Sequence, residues 1–231
     1  MQQGRVQIVV LAIVIAAMLA VLVPAAQAAP TTVTGGGEND YNYKLAAAPG
    51  TTNNLSVSLQ PGSGGFFDYV FTDSAGLVTP LYLSCSAPDG SNAAEGVHQT
   101  LICGGPIVEP LAENALRIEM GDGDDVVNVA FRQDSGFTHV AQAIKGEDGN
   151  DTISGSGPAT GETFVGSILD GGPGNDVLRS GSNQILQGRG GIDHLFARNG
   201  LRNPTINCGA GSNKRESAQV DKKKDLKVKS C

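Results

Sequence analysis

Between Gly171 and Arg179 the chain reads Gly-Gly-Pro-Gly-Asn-Asp-Val-Leu-Arg. Glycines, one aspartate and one aliphatic residue fall there in a fixed phase. Glycine reaches positive φ at no steric cost, so Gly171, Gly172 and Gly174 let the backbone turn tightly with its carbonyl oxygens facing inward. Asp176 adds a carboxylate. Carbonyl and carboxylate oxygens are the ligands of a hard cation such as calcium, which takes about six to eight of them at roughly 2.3–2.6 Å in a tolerant geometry. One turn does not supply that number. The spacing therefore predicts an ion held between two turns stacked one coil apart and bridged by an aspartate of each.

The same kernel recurs in Gly121-Asp122-Gly123-Asp124-Asp125-Val126-Val127, in Gly146-Glu147-Asp148-Gly149-Asn150-Asp151-Thr152-Ile153 and in Gly188-Arg189-Gly190-Gly191-Ile192-Asp193-His194-Leu195. The candidate metal-site residues are thus Gly171, Gly172, Gly174 and Asp176; Gly188, Gly190, Gly191 and Asp193; Gly146, Asp148, Gly149 and Asp151; and Gly121, Asp122, Gly123 and Asp125. A further copy, Cys208-Gly209-Ala210-Gly211-Ser212-Asn213, has Asn where the acid belongs and no aliphatic residue at the proper place, so no metal is expected there. A single Gly-Asn-Asp cluster is ordinary turn chemistry. Recurrence in phase marks a repeat.

The residues after each turn alternate as in a short strand, which sends Val127, Ile153, Leu178 and Leu195 to the interior. Turns on one edge of such a repeat should lie two nonapeptides, about 18 residues, apart. Asp176 and Asp193 are 193 − 176 = 17 apart and form the best-placed pair. The other gaps, 151 − 125 = 26 and 176 − 151 = 25, are near three nonapeptides and predict opposite edges unless insertions intervene. The stretch from Ser180 to Leu186 reads as a nonapeptide that has lost one residue and its Asp.

In these residues, over roughly 119–213, the chain resembles the hemolysin-type calcium-binding (RTX) repeat proteins. The resemblance implies an all-β fold, a parallel β-roll or β-helix of glycine-rich nonapeptide repeats preceded by a β-rich N-terminal region, with calcium as the cofactor. A looser likeness to secreted bacterial relatives lies in Cys85, Cys103 and the acidic turn Gly121 to Asp125, and implies one continuous β-helical body. The resemblance also makes residues 214–231 a cap over the last coil, tied back by Cys231. Many family members carry a toxin, protease or lipase domain upstream; the stretch before the repeats here is short and shows no catalytic motif.

The start of the chain fixes the expected compartment. Arg5, an apolar run from Ile8 to Val23, Pro24 and the small-x-small triplet Ala26-Gln27-Ala28 read as a secretory signal peptide over residues 1–28. The run is shorter than a bilayer span of about 20 residues, and no membrane span is expected after cleavage. Residues 29–213 hold 20 acidic against 8 basic side chains, whereas residues 214–231 hold 3 acidic against 7 basic. An acidic body suits an extracellular cation binder and argues against nucleic acid as partner. The basic tail admits a second reading, contact with an anionic cell-surface polymer or another protein.

Four cysteines in an exported chain fit two disulfides. Of the three connectivities, the sequence-local one, Cys85 with Cys103 and Cys208 with Cys231, is favoured. From residue 29 to 118 the text is short strands and turns: Leu55 to Leu59 alternates with period two, and Tyr69-Val70-Phe71 and Leu81-Tyr82-Leu83 are short apolar runs. Phe137 to Val140 and Thr163 to Val165 read as further strands.

No catalytic constellation is legible. His98, His139 and His194 are scattered, His194 at an outward position, and zinc-protease, nucleophile-elbow and phosphate-loop motifs are missing. With no tryptophan there is no obvious sugar-stacking platform. The leading expectation is a secreted, extracellular, non-enzymatic calcium binder whose roll is ordered by the ion. The alternative is a calcium-stiffened adhesion or matrix module, and a small hydrolase is a third.

Overall fold

A computed structural model describes residues 29–37, 40–62, 67–79, 85–105, 116–131, 142–156, 167–181, 183–197, 200, 203, 205–209, 216–221, 225 and 227–231. The expected signal peptide, the strands expected at 81–83, 137–140 and 163–165, and Asn213 lie outside these residues. The described residues are all-β, without a helix, and join in a single 17-stranded sheet in which most neighbours run parallel.

The strands are β1 (Thr31–Gly37), β2 (Asp40–Ala46), β3 (Asn54–Pro61), β4 (Phe67–Val78), β5 (Cys85–Ser86), β6 (His98–Gly105), β7 (Leu116–Glu119), β8 (Val126–Ala130) and β9 (Gln142–Lys145). They continue as β10 (Thr152–Ser154), β11 (Ser167–Pro173), β12 (Val177–Arg179), β13 (Gln184–Gly190), β14 (His194–Phe196), β15 (Thr205–Asn207), β16 (Ser217–Gln219) and β17 (Val228–Lys229).

Two parallel ladders organise them. One runs β2–β7–β9–β11–β13–β15–β17. The other runs β3–β8–β10–β12–β14–β16. The chain visits the ladders alternately, so each passage adds one rung to both. Residue 118 falls inside β7, which pairs with β2 on one side and β9 on the other, so the sheet runs unbroken from the N-terminal strands into the repeats.

Period-two alternation turns one residue in two inward and produces the core. Leu55, Val127, Ile153, Leu178 and Leu195 stack rung on rung in one ladder. Leu45, Ile118, Ile144, Leu169, Leu186 and Ile206 do so in the other. All are buried, and each fully buried aliphatic side chain of this size contributes about 1.5–3 kcal/mol.

The N-terminal end is closed differently. There β1–β2, β3–β4, β4–β6 and β5–β6 pair antiparallel. Tyr43, Tyr69 and Phe71 fill the interior, with the Tyr43 hydroxyl donating to the Gly104 carbonyl at 2.9 Å. Cys85 and Cys103 sit opposite each other on β5 and β6 and are bonded, and Cys208 is bonded to Cys231 at the other end, the sequence-local pairing.

Candidate metal centre

The four acidic turns lie on one edge of the molecule, each leading from the β2-containing ladder to the β3-containing one. Their aspartates form a column. The Asp125 N–H donates to Asp151 Oδ1, that of Asp151 to Asp176 Oδ1, and that of Asp176 to Asp193 Oδ1, each at 2.9 Å. The opposite-edge expectation for Asp125, Asp151 and Asp176 is thereby corrected. The turn itself has constant length, 151 − 146 = 176 − 171 = 193 − 188 = 5, so the additional residues fall in the connections from β8 to β9 and from β10 to β11, away from the acids.

Two glycine positions make this stacking possible. Gly123, Gly149, Gly174 and Gly191 have φ of +146°, +147°, +144° and +126°, and a Cβ on any of them would strike the carbonyl of the preceding turn, from Thr51, Gly123, Gly149 and Gly174 respectively. At Gly146, Gly171 and Gly188 the place of a Cβ is taken by Oδ2 of Asp151, Asp176 and Asp193. The carbonyl oxygens of Gly171 and Cys208 reach into the same spaces at Gly146 and Gly188, so a carboxylate oxygen and a main-chain oxygen of the next rung converge there. The first turn has Met120 at the equivalent place. The second position of the motif does not require glycine, since Glu147 and Arg189 hold positive φ there.

The column is buried. Asp176 and Asp193 are 0% exposed and Asp125 and Asp151 are 1% exposed. In each, Oδ1 is hydrogen-bonded but Oδ2 has no partner among the described residues. A buried carboxylate without a partner favours the proton. Burial raises the Asp176 carboxyl to about 7, with the Asp193 and Asp151 charges adding and the Asp151 amide opposing. Burial likewise raises Asp151 to about 6 against the Asp125 amide, and raises Asp125 and Asp193.

The opposite edge provides a contrast. Gln142, Ser167, Gln184 and Asn203 are also buried there. The Gln142 amide donates to Ser167 Oγ, and the Gln184 amide to Asn203 Oδ1, while Gln184 Nε2 donates to the Ser156 carbonyl and Gln142 Oε1 accepts from the Ser156 amide. Neutral side chains carry the rung-to-rung ladder on that edge as far as Asn203, whose main-chain amide then donates to Asp225 Oδ1 at 3.0 Å. On the acidic edge, carboxylates occupy the equivalent ladder and leave one oxygen each unused.

Asp122 and Asp148, also expected as ligands, pair with each other across adjacent rungs but are exposed and stand outside the buried column. They line an open groove of about 720 Å³ together with Lys145, Asp170 and Arg189. Arg189 is bound to Asp170 there, Nη2 to Oδ2 at 2.6 Å. Asp124, Asn150 and Asn175 form a separate exposed ladder, in which each side-chain Oδ1 accepts from the main-chain amide of the next rung. His194 is exposed, its Nδ1 lying 2.7 Å from Ser217 Oγ.

Two members of the column were not read from the sequence. Asn53 precedes the first acid, donating its main-chain amide to Asp125 Oδ1 at 2.7 Å. Glu216 takes the place after Asp193: it precedes β16, whose Ser217 pairs with His194 and donates to the Asp193 carbonyl at 3.0 Å. The available signal was the alternating Ser217-Ala218-Gln219 directly after a lone acid.

Among the described residues no three His, Cys, Asp or Glu side chains are close enough together to hold a metal ion. A cation in this column would therefore take carboxylates from adjacent rungs and complete its shell with main-chain carbonyls, a donor set suited to calcium and unsuited to zinc. Compared with known proteins, the chain matches no protein-family model, no curated protein and no solved structure. The likeness to hemolysin-type repeats rests on the nonapeptides themselves.

Proposed function

We propose that this chain is an exported calcium-binding protein whose acidic turns take the ion between successive coils of a parallel β-roll, so that binding completes and stiffens the roll. The reading is carried by the column of buried aspartates, each with an oxygen unpartnered among the described residues, where Gln142, Ser167, Gln184 and Asn203 of the opposite edge are neutral. Unpaired buried charge is costly unless a proton or a cation neutralises it. Asp151, Asp176 and Asp193, with the Gly171 and Cys208 carbonyls, would hold the ions. Strands of neighbouring rungs lie about 4.8 Å apart, about twice a calcium–oxygen distance, so equivalent oxygens on adjacent rungs can share an ion.

The bound ion supplies positive charge to the column. The residues supply the rest: the glycines clear space for the carboxylates, the main-chain amides fix Oδ1, and the aliphatic ladders hold the rungs in register. Extracellular modules need only modest affinity, with Kd on the order of 10⁻⁴ to 10⁻³ M. The test is calorimetry and far-UV circular dichroism of the oxidised, chelator-stripped chain during calcium titration, with magnesium as control. Calcium-selective heat with a gain of β signal is expected. Equal responses to both ions, or none, would overturn the reading.

A further inference from the structure

Two buried carboxylates stand outside the glycine-rich turns: Asp73, which accepts from the Thr31 hydroxyl and the Asn54 amide, and Glu216. Glu216 is 8% exposed, and its Oε1 has no partner among the described residues. The β14–β16 pairing and the Ser217 to Asp193 hydrogen bond place it beside Asp193. The Asp193 Oδ2 is unpartnered as well and shares the space over Gly188 with the Cys208 carbonyl oxygen. Two unpartnered, buried carboxylate oxygens and one main-chain oxygen thus belong to the same step of the column.

The nonapeptide pattern does not reveal this step. In the other turns the acid follows the first position by five residues, as in 193 − 188, whereas here the interval is 216 − 208 = 8. A glutamate extends one methylene further than an aspartate, which suits an acid carried on a wider turn. The rung is also held differently. Beyond its strand β15 only the short β17 follows in that ladder, and Cys208 is fixed by the hydrogen bond from its N–H to the Lys229 carbonyl at 3.2 Å and by the disulfide to Cys231. Cys208 is buried and Cys231 exposed.

We infer that Asp193, Glu216 and the Cys208 carbonyl form a terminal site for a hard divalent cation of the calcium type, and that the Cys208–Cys231 disulfide holds this site together. The inference rests on the calcium reading of the column and adds to it a ligand that no repeat motif contains. It also makes the last site the one sensitive to reduction. The disulfide positions the rung that carries the main-chain donor and takes no part in ligation.

Calorimetric stoichiometry of the full oxidised chain tests it, comparing wild type with Glu216→Gln and with Cys231→Ser. Each variant should bind one calcium ion fewer than wild type while the remaining ions bind as before. Hydrogen exchange of the wild type provides a measurement independent of variant folding: calcium should slow the Cys208 and Ser217 amides as well as those of Asp151 and Asp176. Wild-type stoichiometry in a folded Glu216→Gln, or protection that stops short of Cys208 and Ser217, would overturn the terminal site while leaving the rest of the column standing. Absence of calcium binding by wild type would instead overturn the proposed function.

Discussion

The main-chain N–H of Asp176 donates to Oδ1 of Asp193 across 17 residues of sequence, and the other oxygen of Asp193 is buried with no partner among the described residues. Half of the carboxylate is thus structural and half is available. This division separates the effects of substitutions at the column.

Replacing Asp176 by Asn keeps an acceptor for the Asp151 amide and removes the charge. The calcium-free protein should become more stable above about pH 7, where Asp176 otherwise carries a buried charge, while the stabilisation added by calcium shrinks. Thermal melts with chelator and with millimolar calcium would show the two changes with opposite sign.

Asp176→Ala and Asp193→Ala should be strongly non-additive in calcium binding, because both carboxylates contribute to one shared ion. Titration of both single variants and the double variant measures the coupling. Loss of twice as many ions in the double variant would break the shared-site account.

The pH dependence has a definite sign. The folded chain holds protons on Asp151 up to about 6 and on Asp176 up to about 7, against an ordinary value of 3.8. At these two groups the folded state then binds more protons than the unfolded state, so without metal their contribution to stability is fully present below the ordinary value and is lost as pH rises through about 6 and about 7. Calcium should remove most of that loss by taking the proton's place. Urea unfolding midpoints across the range, with and without calcium, provide the check.

Gly146→Ala should cost about 1–3 kcal/mol, because the new methyl group would overpack the space held by Asp151 Oδ2 and the Gly171 carbonyl. Gly190→Ala is the matched control. A Cβ there meets nothing within 4 Å and its φ is not in the left-handed region, so stability should be unchanged or rise slightly. Denaturant midpoints of the two variants compare them directly.

Much of this arrangement is legible in residue types. The alternating Leu55 to Leu59, the inward Val127, Ile153, Leu178 and Leu195, and both disulfides follow from period-two patterning and cysteine spacing. Edge assignment did not follow, because counting nonapeptides treats every insertion as a change of edge. The chain instead keeps the Gly146–Asp151 and Gly171–Asp176 turns constant and lets the far connections vary. Glu216 was hidden for a related reason: its turn is longer and lacks the glycine rhythm, and only strand pairing brings it beside Asp193. Asn53 was hidden because its turn carries no acid at all.

The carboxylates of the acid column all accept in one direction, each from the amide of the earlier rung, while the main-chain carbonyls of Asp125, Asp151, Asp176 and Asp193 accept from the rung that follows. Synthesis delivers the rungs in that same order, from Asn53 towards Glu216. The amide of each of these turns is therefore satisfied only when the following rung is in place. The antiparallel N-terminal strands border the stack at one end, and the Cys208–Cys231 bond closes it at the other. A covalent tie therefore stands at the end of the stack where the rungs are shortest.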